Sequence, residues 1–271
     1  MTDPDLTGRR LLIVGASSGI GRGVALAAAA AGAEIVVVGR RDQLLKKVLD
    51  EAGRGTAICA DLRDPEQCAR IGGEAAEALG GGVDAVLHSL GTSPLLRIAE
   101  TPAAVWTDTF ATNVIAPALV TASVLPYLAA DGLVAFVSSR SVGRPYHGVG
   151  AYSASKAALD QTILSWRLEN PDRRFLRLEI GDTLGTDFAR NFDPRQIGEL
   201  LPLWISHGIM AGQQMDCDDL GLVIAKAIAV SLDHPRISPL ELVLHPPGGP
   251  RTSGSAEAVR HTQRAQAASS D

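Results

Sequence analysis

The stretch LLIVGASSGIG, residues 11–21, decides the fold of this 271-residue chain. A run of branched apolar residues, typical of a buried strand, leads into a glycine-rich turn and then into residues with helical spacing. Gly15, Gly19 and Gly21 follow the spacing GxxxGxG. Such a turn presents backbone N–H groups and the positive end of a helix dipole to an anion, and no Cβ obstructs the approach. The stretch predicts a pyrophosphate-binding turn, with a tight turn that binds no ligand as the alternative.

Strand-like runs recur along the chain and alternate with longer stretches of helical spacing. The further runs are EIVVVG, TAICAD, DAVLHS, LVAFVSS, RFLRLEI and LELVLH. The helical stretches are 19–31, 65–79, 102–129 and 152–169. This alternation predicts parallel strands joined by right-handed helical crossovers. We therefore predict an α/β protein of one domain, a doubly wound Rossmann fold with a seven-stranded parallel sheet. Its ligand site should lie at the carboxyl ends of the strands, where the strand order reverses.

The predicted domain covers residues 1–248. Within it, residues 187–215 interrupt the alternation with large apolar residues scattered among polar residues and glycine. This pattern predicts a mobile lid over the cleft, with a pair of amphipathic packing helices as the alternative. Residues 249–271 are rich in serine, alanine and polar residues, which predicts a flexible C-terminal tail.

Charge and cysteine content exclude several classes of protein. The net charge is −5 and acidic and basic residues are interspersed, so we expect no nucleic-acid or membrane partner. The chain has 3 cysteines without CxxC spacing, which predicts neither a disulfide framework nor a metal site. The N-terminus has acidic residues where a signal peptide is basic, and no apolar run appears long enough to span a bilayer. These features predict a cytoplasmic protein.

The second strand ends in VVVGRR, at the place where an NAD site would have an acidic residue for the ribose 2′-hydroxyl. Arg40 and Arg41 would instead hold a 2′-phosphate by charge-assisted hydrogen bonds. The expected cofactor is NADP, with NAD less favoured; solvated surface arginines are the alternative. The third strand run ends at Asp61 and Leu62, where an adenine ring would lie. Asp61 either accepts from the adenine amine or caps a helix.

The stretch AYSASK, residues 151–156, places Tyr152 and Lys156 four positions apart, on one face of a helix near its start. A tyrosine with a pKa near about 10 is a poor base at neutral pH. A neighbouring ammonium group and the helix N-terminal dipole both favour the phenolate. We therefore predict a lowered pKa for Tyr152, which would let it accept and return a proton.

The chain resembles the short-chain dehydrogenase/reductase family in its glycine turn, Asp61 in ADL, Asn113 in TNV, Ser139 at the end of the fifth strand, and the Tyr152–Lys156 pair. The resemblance extends over roughly residues 8–248. It implies that Lys156 also binds the nicotinamide ribose, that Ser139 donates a hydrogen bond to the substrate oxygen, and that Asn113 holds a water in a proton relay.

The resemblance implies an NADP-dependent oxidoreductase that interconverts a secondary alcohol and a ketone by hydride transfer, with Tyr152 as general acid and base. Its substrate would be a small carbonyl or alcohol molecule in a hydrophobic pocket under the lid. A homodimer or homotetramer through the helices at 102–129 and 152–169 is also implied. The alternative is a non-catalytic NADP-binding regulatory or scaffold protein of the same fold.

The chain departs from the family pattern in two places. HSLG, residues 88–91, replaces the usual Asn-Asn-Ala-Gly, and we hypothesise that His88 takes over part of the lost hydrogen bonding beside the cofactor. Ile180 replaces a proline in IGDTLGT, where Gly181 would let the backbone approach the carboxamide. Either Thr183 or Thr186 could then hydrogen-bond the carboxamide or the phosphate.

The stretch between Ser139 and Tyr152 borders the substrate in the family, so Arg144, Tyr146 and His147 are candidate substrate contacts, with a solvated loop as the favoured alternative. The full set of predicted cofactor-binding residues is Gly15, Ser17, Ser18, Gly19, Ile20, Gly21, Arg40, Arg41, Asp61, Leu62, Ser89, Gly91, Tyr152, Lys156, Gly181, Thr183 and Thr186.

Overall fold

The computed structural model describes residues 5–190, 192–207, 209 and 213–247. Within these residues, seven strands form one sheet in the order β3-β2-β1-β4-β5-β6-β7. The strands are β1 Arg10–Val14, β2 Glu34–Gly39, β3 Thr56–Cys59, β4 Val83–His88, β5 Leu128–Ser139, β6 Arg174–Ile180 and β7 Glu241–Leu244. All neighbouring strands run parallel. The predicted doubly wound Rossmann fold of one domain is confirmed.

Helices connect the strands and cover both faces of the sheet. They are α1 Gly19–Ala30, α2 Asp42–Ala52, α3 Pro65–Ala78, α4 Ala103–Phe110, α5 Ala116–Val124, α6 Gly150–Glu169, α7 Pro194–Ser206 and α8 Cys217–Asp233. A π-helical turn, Ala111–Ile115, joins α4 to α5. Short 3₁₀ turns lie at Ile98–Glu100, Leu125–Tyr127, Arg140–Val142 and Asp187–Ala189.

The strand order reverses at β1, which pairs with β2 on one side and with β4 on the other. The chain first builds the sheet outward to β3, then returns to place β4 beside β1 and continues to β7. In such a sheet a crevice opens outside the carboxyl ends of the strands at this reversal. The glycine turn after β1 and residues 89–91 after β4 therefore face one crevice.

The hydrophobic core lies on both faces of the sheet. Alternate residues of a strand point to opposite faces, so Leu12 joins the cluster under α3, α5 and α6, and Ile13 joins the cluster under α1 and α8. Because both faces of the sheet are covered, the strand sequences are continuous runs of apolar residues. α1 and α8 approach closely because Gly23 and Gly221 face each other, and a Cβ on either would collide with the backbone of the other helix.

The helical run at residues 103–127 has 25 residues and is apolar enough, by length and composition, to cross a membrane. The sequence analysis predicted no such run. In the fold, α5 packs against α3, and Ala116, Val120 and Val124 are buried in the core. Core helices pass the same test of length and hydropathy.

The predicted lid begins with the 3₁₀ turn Asp187–Ala189 and continues into α7. α7 is amphipathic, and it buries Leu200 and Trp204 against Leu95 and Val149. One of the two packing helices of the alternative interpretation is thus present; mobility of the segment stays a prediction. The predicted tail, residues 249–271, and lid residues 191, 208 and 210–212 lie outside the described part of the chain.

Candidate active site

A cleft of about 810 Å³ lies at the carboxyl ends of the strands, at the predicted crevice. The glycine turn and the end of β2 line one end of the cleft. The start of α6 lines the other end, and the lid segment contacts both ends, through Asp187 at Arg41 and Phe188 at Tyr152. Of the predicted site residues, the cleft is lined by Gly15, Ser17, Ser18, Gly19, Ile20, Arg40, Arg41, Asp61, Leu62, Ser89, Gly91, Ser139, Tyr152, Lys156, Gly181, Thr183 and Thr186. Gly21 and Asn113 are placed behind this surface.

The glycine turn has the geometry of an anion cradle. Gly15 and Gly19 have φ values of 89° and 56°, in the left-handed region that favours glycine. A Cβ on Gly15 would lie 2.9 Å from the backbone carbonyl group of Ser89, and a Cβ on Gly21 would collide with the carbonyl oxygen of Gly15. α1 begins at Gly19, and the Ser18 side chain does not cap it. The first N–H groups of α1 are therefore available to an anionic group.

Arg41 turns inward to this cradle. Its Nε and Nη2 donate to the Ser17 hydroxyl at 3.1 and 2.7 Å, and Nη2 also donates to the Ser18 hydroxyl at 2.8 Å. Its Nη1 lies 2.6 Å from Oδ2 of Asp187 in the lid. Arg40 also lines the cleft, but its side chain is exposed. The two arginines predicted to act together therefore have different surroundings.

Asp61 already has a cationic partner. Nη2 of Arg63 lies 2.6 Å from Oδ2 of Asp61, and the Arg63 backbone N–H donates to Oδ1 at 3.1 Å. These contacts, led by the side-chain hydrogen bond, lower the pKa of Asp61 to about 2. An adenine amine would share the carboxylate with Arg63, a partner that the sequence analysis missed although it is two residues away.

Tyr152 and Lys156 lie on one face of α6, as their spacing predicted. Lys156 Nζ is 5.9 Å from the centre of the Tyr152 ring. The Ser139 side chain interacts with the Tyr152 phenol and acts to lower its pKa. Ser139 Oγ also accepts from the backbone N–H of Ser141 at 3.1 Å, which holds the hydroxyl at the end of β5. Tyr152, Ser139 and Lys156 are therefore assembled at one end of the cleft.

The predicted lowering of the Tyr152 pKa is wrong. Burial raises the pKa of Tyr152 to about 12, which outweighs the lowering effect of the Ser139 side chain. The Lys156 ammonium does not bond to the phenol; it donates to the backbone carbonyls of Val137 and Leu90 at 2.7 and 3.0 Å. Burial lowers the pKa of Lys156 to about 8. Spacing along a helix revealed which side chains share a face, but not how far burial would alter their titration.

Asn113 is fully buried in the π-helical turn. Its Oδ1 accepts from Thr92 N at 2.9 Å, and its Nδ2 donates to Thr92 O and to Ser155 Oγ, both at 2.9 Å. The side chain therefore fastens the loop after β4 to α6. Both polar atoms of the amide are therefore engaged within the chain, and a water held by Asn113 in a proton relay stays a prediction.

His88 does not face the cofactor end of the cleft. Its ring stacks on Phe136 with 4.9 Å between centroids, and its Nε2 lies 3.0 Å from Thr121 Oγ1 on α5. Burial lowers the pKa of His88 to about 3, so the ring is neutral at physiological pH. The hypothesis that His88 replaces a cofactor-side amide is therefore wrong. The backbone of Leu90 serves the site instead, since it accepts from Lys156.

The segment after β6 leads from the active site into the lid. Thr183 Oγ1 donates to the carbonyl of Gly181 at 3.0 Å. Thr186 Oγ1 accepts from the backbone N–H of Phe188 at 3.4 Å and so begins the 3₁₀ turn. Both threonines line the cleft, so either remains a candidate contact for the cofactor.

A buried charged cluster beside Ser139 was missed by the sequence analysis. The Arg140 side chain is 5% exposed and lies 3.2 Å from Oδ2 of Asp182. It also contacts the Tyr146 hydroxyl and the Ile209 carbonyl, and the guanidinium lies over the Tyr146 ring at 5.3 Å. The only sequence signal was a charged residue directly after the apolar strand β5. The cluster forms a rigid polar floor in a mostly apolar pocket.

The candidate substrate contacts between Ser139 and Tyr152 divide into two groups. Tyr146 lines the cleft. Arg144 and His147 instead contact His207, which follows the end of α7. Arg144 donates to the His207 carbonyl at 2.8 Å, and His147 Nε2 lies 3.1 Å from His207 Nδ1. These two residues therefore hold the lid helix rather than line the pocket.

The lid also covers the phenol directly. The Phe188 ring meets the Tyr152 ring edge-on, with 5.0 Å between their centroids, and Phe192 packs on Phe188 at 5.4 Å. The Trp204 indole N–H donates to the carbonyl of His147 at 2.8 Å. Within the described residues, no group of three or more His, Cys, Asp or Glu side chains could hold a metal ion.

Comparison with known proteins finds relatives over most of the chain. A family model described as short chain dehydrogenase matches residues 9–194. A short chain dehydrogenase of Pseudocercospora fijiensis is 34% identical over 164 residues, which are 58% of this chain and 53% of that protein. The L-xylulose reductase of Mesocricetus auratus is 31% identical over 170 residues, 62% of this chain and 68% of that protein. The match thus spans only about half of the fungal relative's length.

Solved structures share the fold. A short chain dehydrogenase of Burkholderia cenocepacia J2315, solved in complex with NADP, superimposes with a TM-score of 0.78 at 23% identity, covering 91% of this chain and 99% of that one. A short-chain dehydrogenase of Streptomyces avermitilis gives a TM-score of 0.72 at 27% identity, covering 96% and 94%. Because the family model matches well over half of its residues, the chain belongs to the short-chain dehydrogenase/reductase family.

Proposed function

We propose that the protein is an NADP-dependent oxidoreductase that interconverts a secondary alcohol and a ketone in this cleft. The observation that carries the proposal is the assembly of Tyr152, Ser139 and Lys156 at one end of a cleft whose other end is a glycine cradle. Members of the same family are named as reductases, among them the L-xylulose reductases of Mesocricetus auratus and Bos taurus.

The residues of the cleft fit a nicotinamide dinucleotide. The glycine turn and the first N–H groups of α1 would hold its pyrophosphate, because no side chain caps the start of α1 and its N–H groups face the cleft end lined by Gly15 and Gly19. Lys156 would bind the ribose beside Tyr152, and Arg40 and Arg41 would bind a 2′-phosphate. When bound, the cofactor supplies or accepts the hydride.

The chain's own residues handle the proton and the oxygen. The raised pKa of Tyr152, about 12, keeps the phenol protonated at neutral pH, ready to give its proton to a carbonyl oxygen. The Ser139 hydroxyl would donate a hydrogen bond to the same oxygen. The Lys156 ammonium then stabilises the phenolate, since its pKa of about 8 leaves it mostly charged at pH 7. In the reverse direction, the phenolate takes the proton back from the alcohol.

The preference for NADP is supported by the charge at the end of β2. Arg40 and Arg41 lie where an acidic residue would select NAD, and Arg41 is aligned by Ser17 and Ser18. Structures of the same fold from Burkholderia cenocepacia and from a metagenomic source were solved with NADP.

The substrate end of the cleft favours an apolar molecule. The cluster around it contains Leu95, Val149, Phe192, Leu200 and Trp204, with Phe188 and Tyr146 packed against it. A substrate with an apolar body and one reacting oxygen would satisfy this pocket. We also propose a cytoplasmic homo-oligomer, for which the exposed Leu164 and Leu168 of α6 offer an apolar face.

The proposal is tested by following NADPH absorbance with a panel of ketones and secondary alcohols, beside the same panel with NADH. Turnover with NADPH and at least one carbonyl is expected. A non-catalytic NADP-binding protein would bind NADPH in calorimetry but turn over no member of the panel.

A further inference from the structure

Asp187 places a carboxylate in the cleft, beside Arg41 and Ser18. Its Oδ2 accepts from the Ser18 hydroxyl at 2.7 Å and lies 2.6 Å from Arg41 Nη1, with Arg190 Nη1 at 3.5 Å. Partial burial raises the pKa of Asp187, but the hydrogen bonds from Ser18 and Arg41 outweigh it, so the pKa is lowered. The group is therefore an anion at neutral pH, held by donors from both sides of the cleft.

Each nitrogen of the Arg41 guanidinium is engaged. Nε and Nη2 bond to the two serines of the glycine turn, and Nη1 bonds to Asp187. These contacts occupy four of the five N–H donors of the guanidinium, so a phosphate that binds Arg41 through the usual pair of N–H groups must replace one of these partners. The serines belong to a turn fixed between β1 and α1. Asp187 belongs to the short segment that leads into the lid, so it is the partner free to leave.

Whether a cofactor must displace Asp187 from Arg41 depends on the charge of the group at its ribose 2′-position. A 2′-phosphate and the Asp187 carboxylate would compete for Arg41 and Ser18, and like charges placed side by side repel each other. The 2′-hydroxyl of NAD can instead donate a hydrogen bond to a carboxylate, the role played by the acidic residue that β2 lacks. Asp187 brings a carboxylate close to the end of β2 from the lid segment, on the other side of the cleft.

We propose that Asp187 is a cofactor-selectivity residue: its carboxylate competes with the 2′-phosphate of NADP for Arg41 and Ser18, and tolerates NAD. This inference rests on the proposed function, namely that the cleft binds a nicotinamide dinucleotide. Arg40 and Arg41 then favour NADP, while Asp187 moderates that preference from the lid.

The test is the dissociation constants of NADP and NAD, measured by calorimetry. Asp187→Asn should tighten NADP binding about tenfold and change NAD binding less than about twofold. Asp187→Glu, which keeps the charge, should leave NADP binding weak. In an Arg41→Met background, the gain from Asp187→Asn should fall to about twofold, because the contested donor is gone. Glu199→Gln, which removes one exposed negative charge from α7, is the matched control and should change neither constant.

The outcomes separate the two proposals. Binding of NADP with the same constant in wild type and Asp187→Asn, or an equal gain for NAD, overturns the role of Asp187 and leaves the proposed function standing. Binding of neither nucleotide by wild type or any variant overturns the proposed function, and the role of Asp187 falls with it.

Discussion

The Lys156 ammonium lies 5.9 Å from the centre of the Tyr152 ring and bonds to the carbonyls of Val137 and Leu90, not to the phenol. These two carbonyls belong to the end of β5 and to the loop after β4, so the sheet holds the charge beside the phenol. Lys156 is therefore suited to stabilise a phenolate formed during turnover, while burial keeps the resting phenol protonated.

The first prediction concerns Tyr152. Tyr152→Phe removes the proton donor without removing the ring, so turnover with NADPH should fall roughly 10²–10⁴-fold while NADPH binding persists. Initial rates and calorimetric binding of NADPH measure the two effects. Tyr127→Phe is the matched control, because Tyr127 is 41% exposed and lies in a 3₁₀ turn away from the cleft. Unchanged rates in Tyr152→Phe would rule out the phenol as the acid.

The second prediction concerns pH. Burial lowers the Lys156 pKa to about 8, so its ammonium is present below that pH and is lost as pH rises through it. kcat/KM for NADPH in carbonyl reduction, which reports groups of the free enzyme, should therefore fall with an apparent pKa of about 8. Lys156→Arg, which keeps a charge at alkaline pH, should remove this fall even at a lower overall rate. A wild-type profile that stays flat up to a pH of about 10 would contradict the assignment.

Periodicity and glycine spacing predicted the fold because they depend on local rules. The alternation of buried strands and helices specifies a parallel sheet, and the reversal of strand order at β1 fixes where the cleft opens. The spacing of Tyr152 and Lys156 likewise specified a shared helix face. These inferences need no knowledge of what packs against the residues.

The errors concern tertiary surroundings. His88 is the last residue of the apolar strand β4, and nothing local indicates that its ring turns to Phe136 and Thr121. The pKa of Tyr152 depends on desolvation by burial, and one ring packed on the phenol, Phe188, is far from it in sequence. Asp187 was within the predicted lid, but only the fold brings it to Arg41. Contacts between distant segments, and the burial they cause, were not readable from spacing.

The third prediction concerns Asn113. Its amide makes three hydrogen bonds, to both backbone groups of Thr92 and to Ser155, in a fully buried place. Asn113→Ala removes the side-chain partner of both Thr92 backbone groups and one of the two partners of Ser155 Oγ, so the free energy of unfolding should fall by about 2–4 kcal/mol. Urea denaturation measures it. The neighbouring Thr112→Ala, at a half-buried position, should cost less than about 1 kcal/mol. Equal losses for the two variants would show that the Asn113 amide is not a structural clamp.

The fourth prediction concerns the charged cluster beside Ser139. Arg140 and Asp182 form a pair whose side chains are 5% and 13% exposed, so removal of the cation leaves a carboxylate in a desolvated place. Arg140→Met should lower the free energy of unfolding by about 3–5 kcal/mol, measured by urea denaturation. Arg70→Met is the matched control, because Arg70 pairs with Glu74 at the surface of α3, with both side chains 40% exposed. That variant should cost less than about 0.5 kcal/mol. If Arg140→Met is as stable as Arg70→Met, the cluster does not support the floor of the pocket.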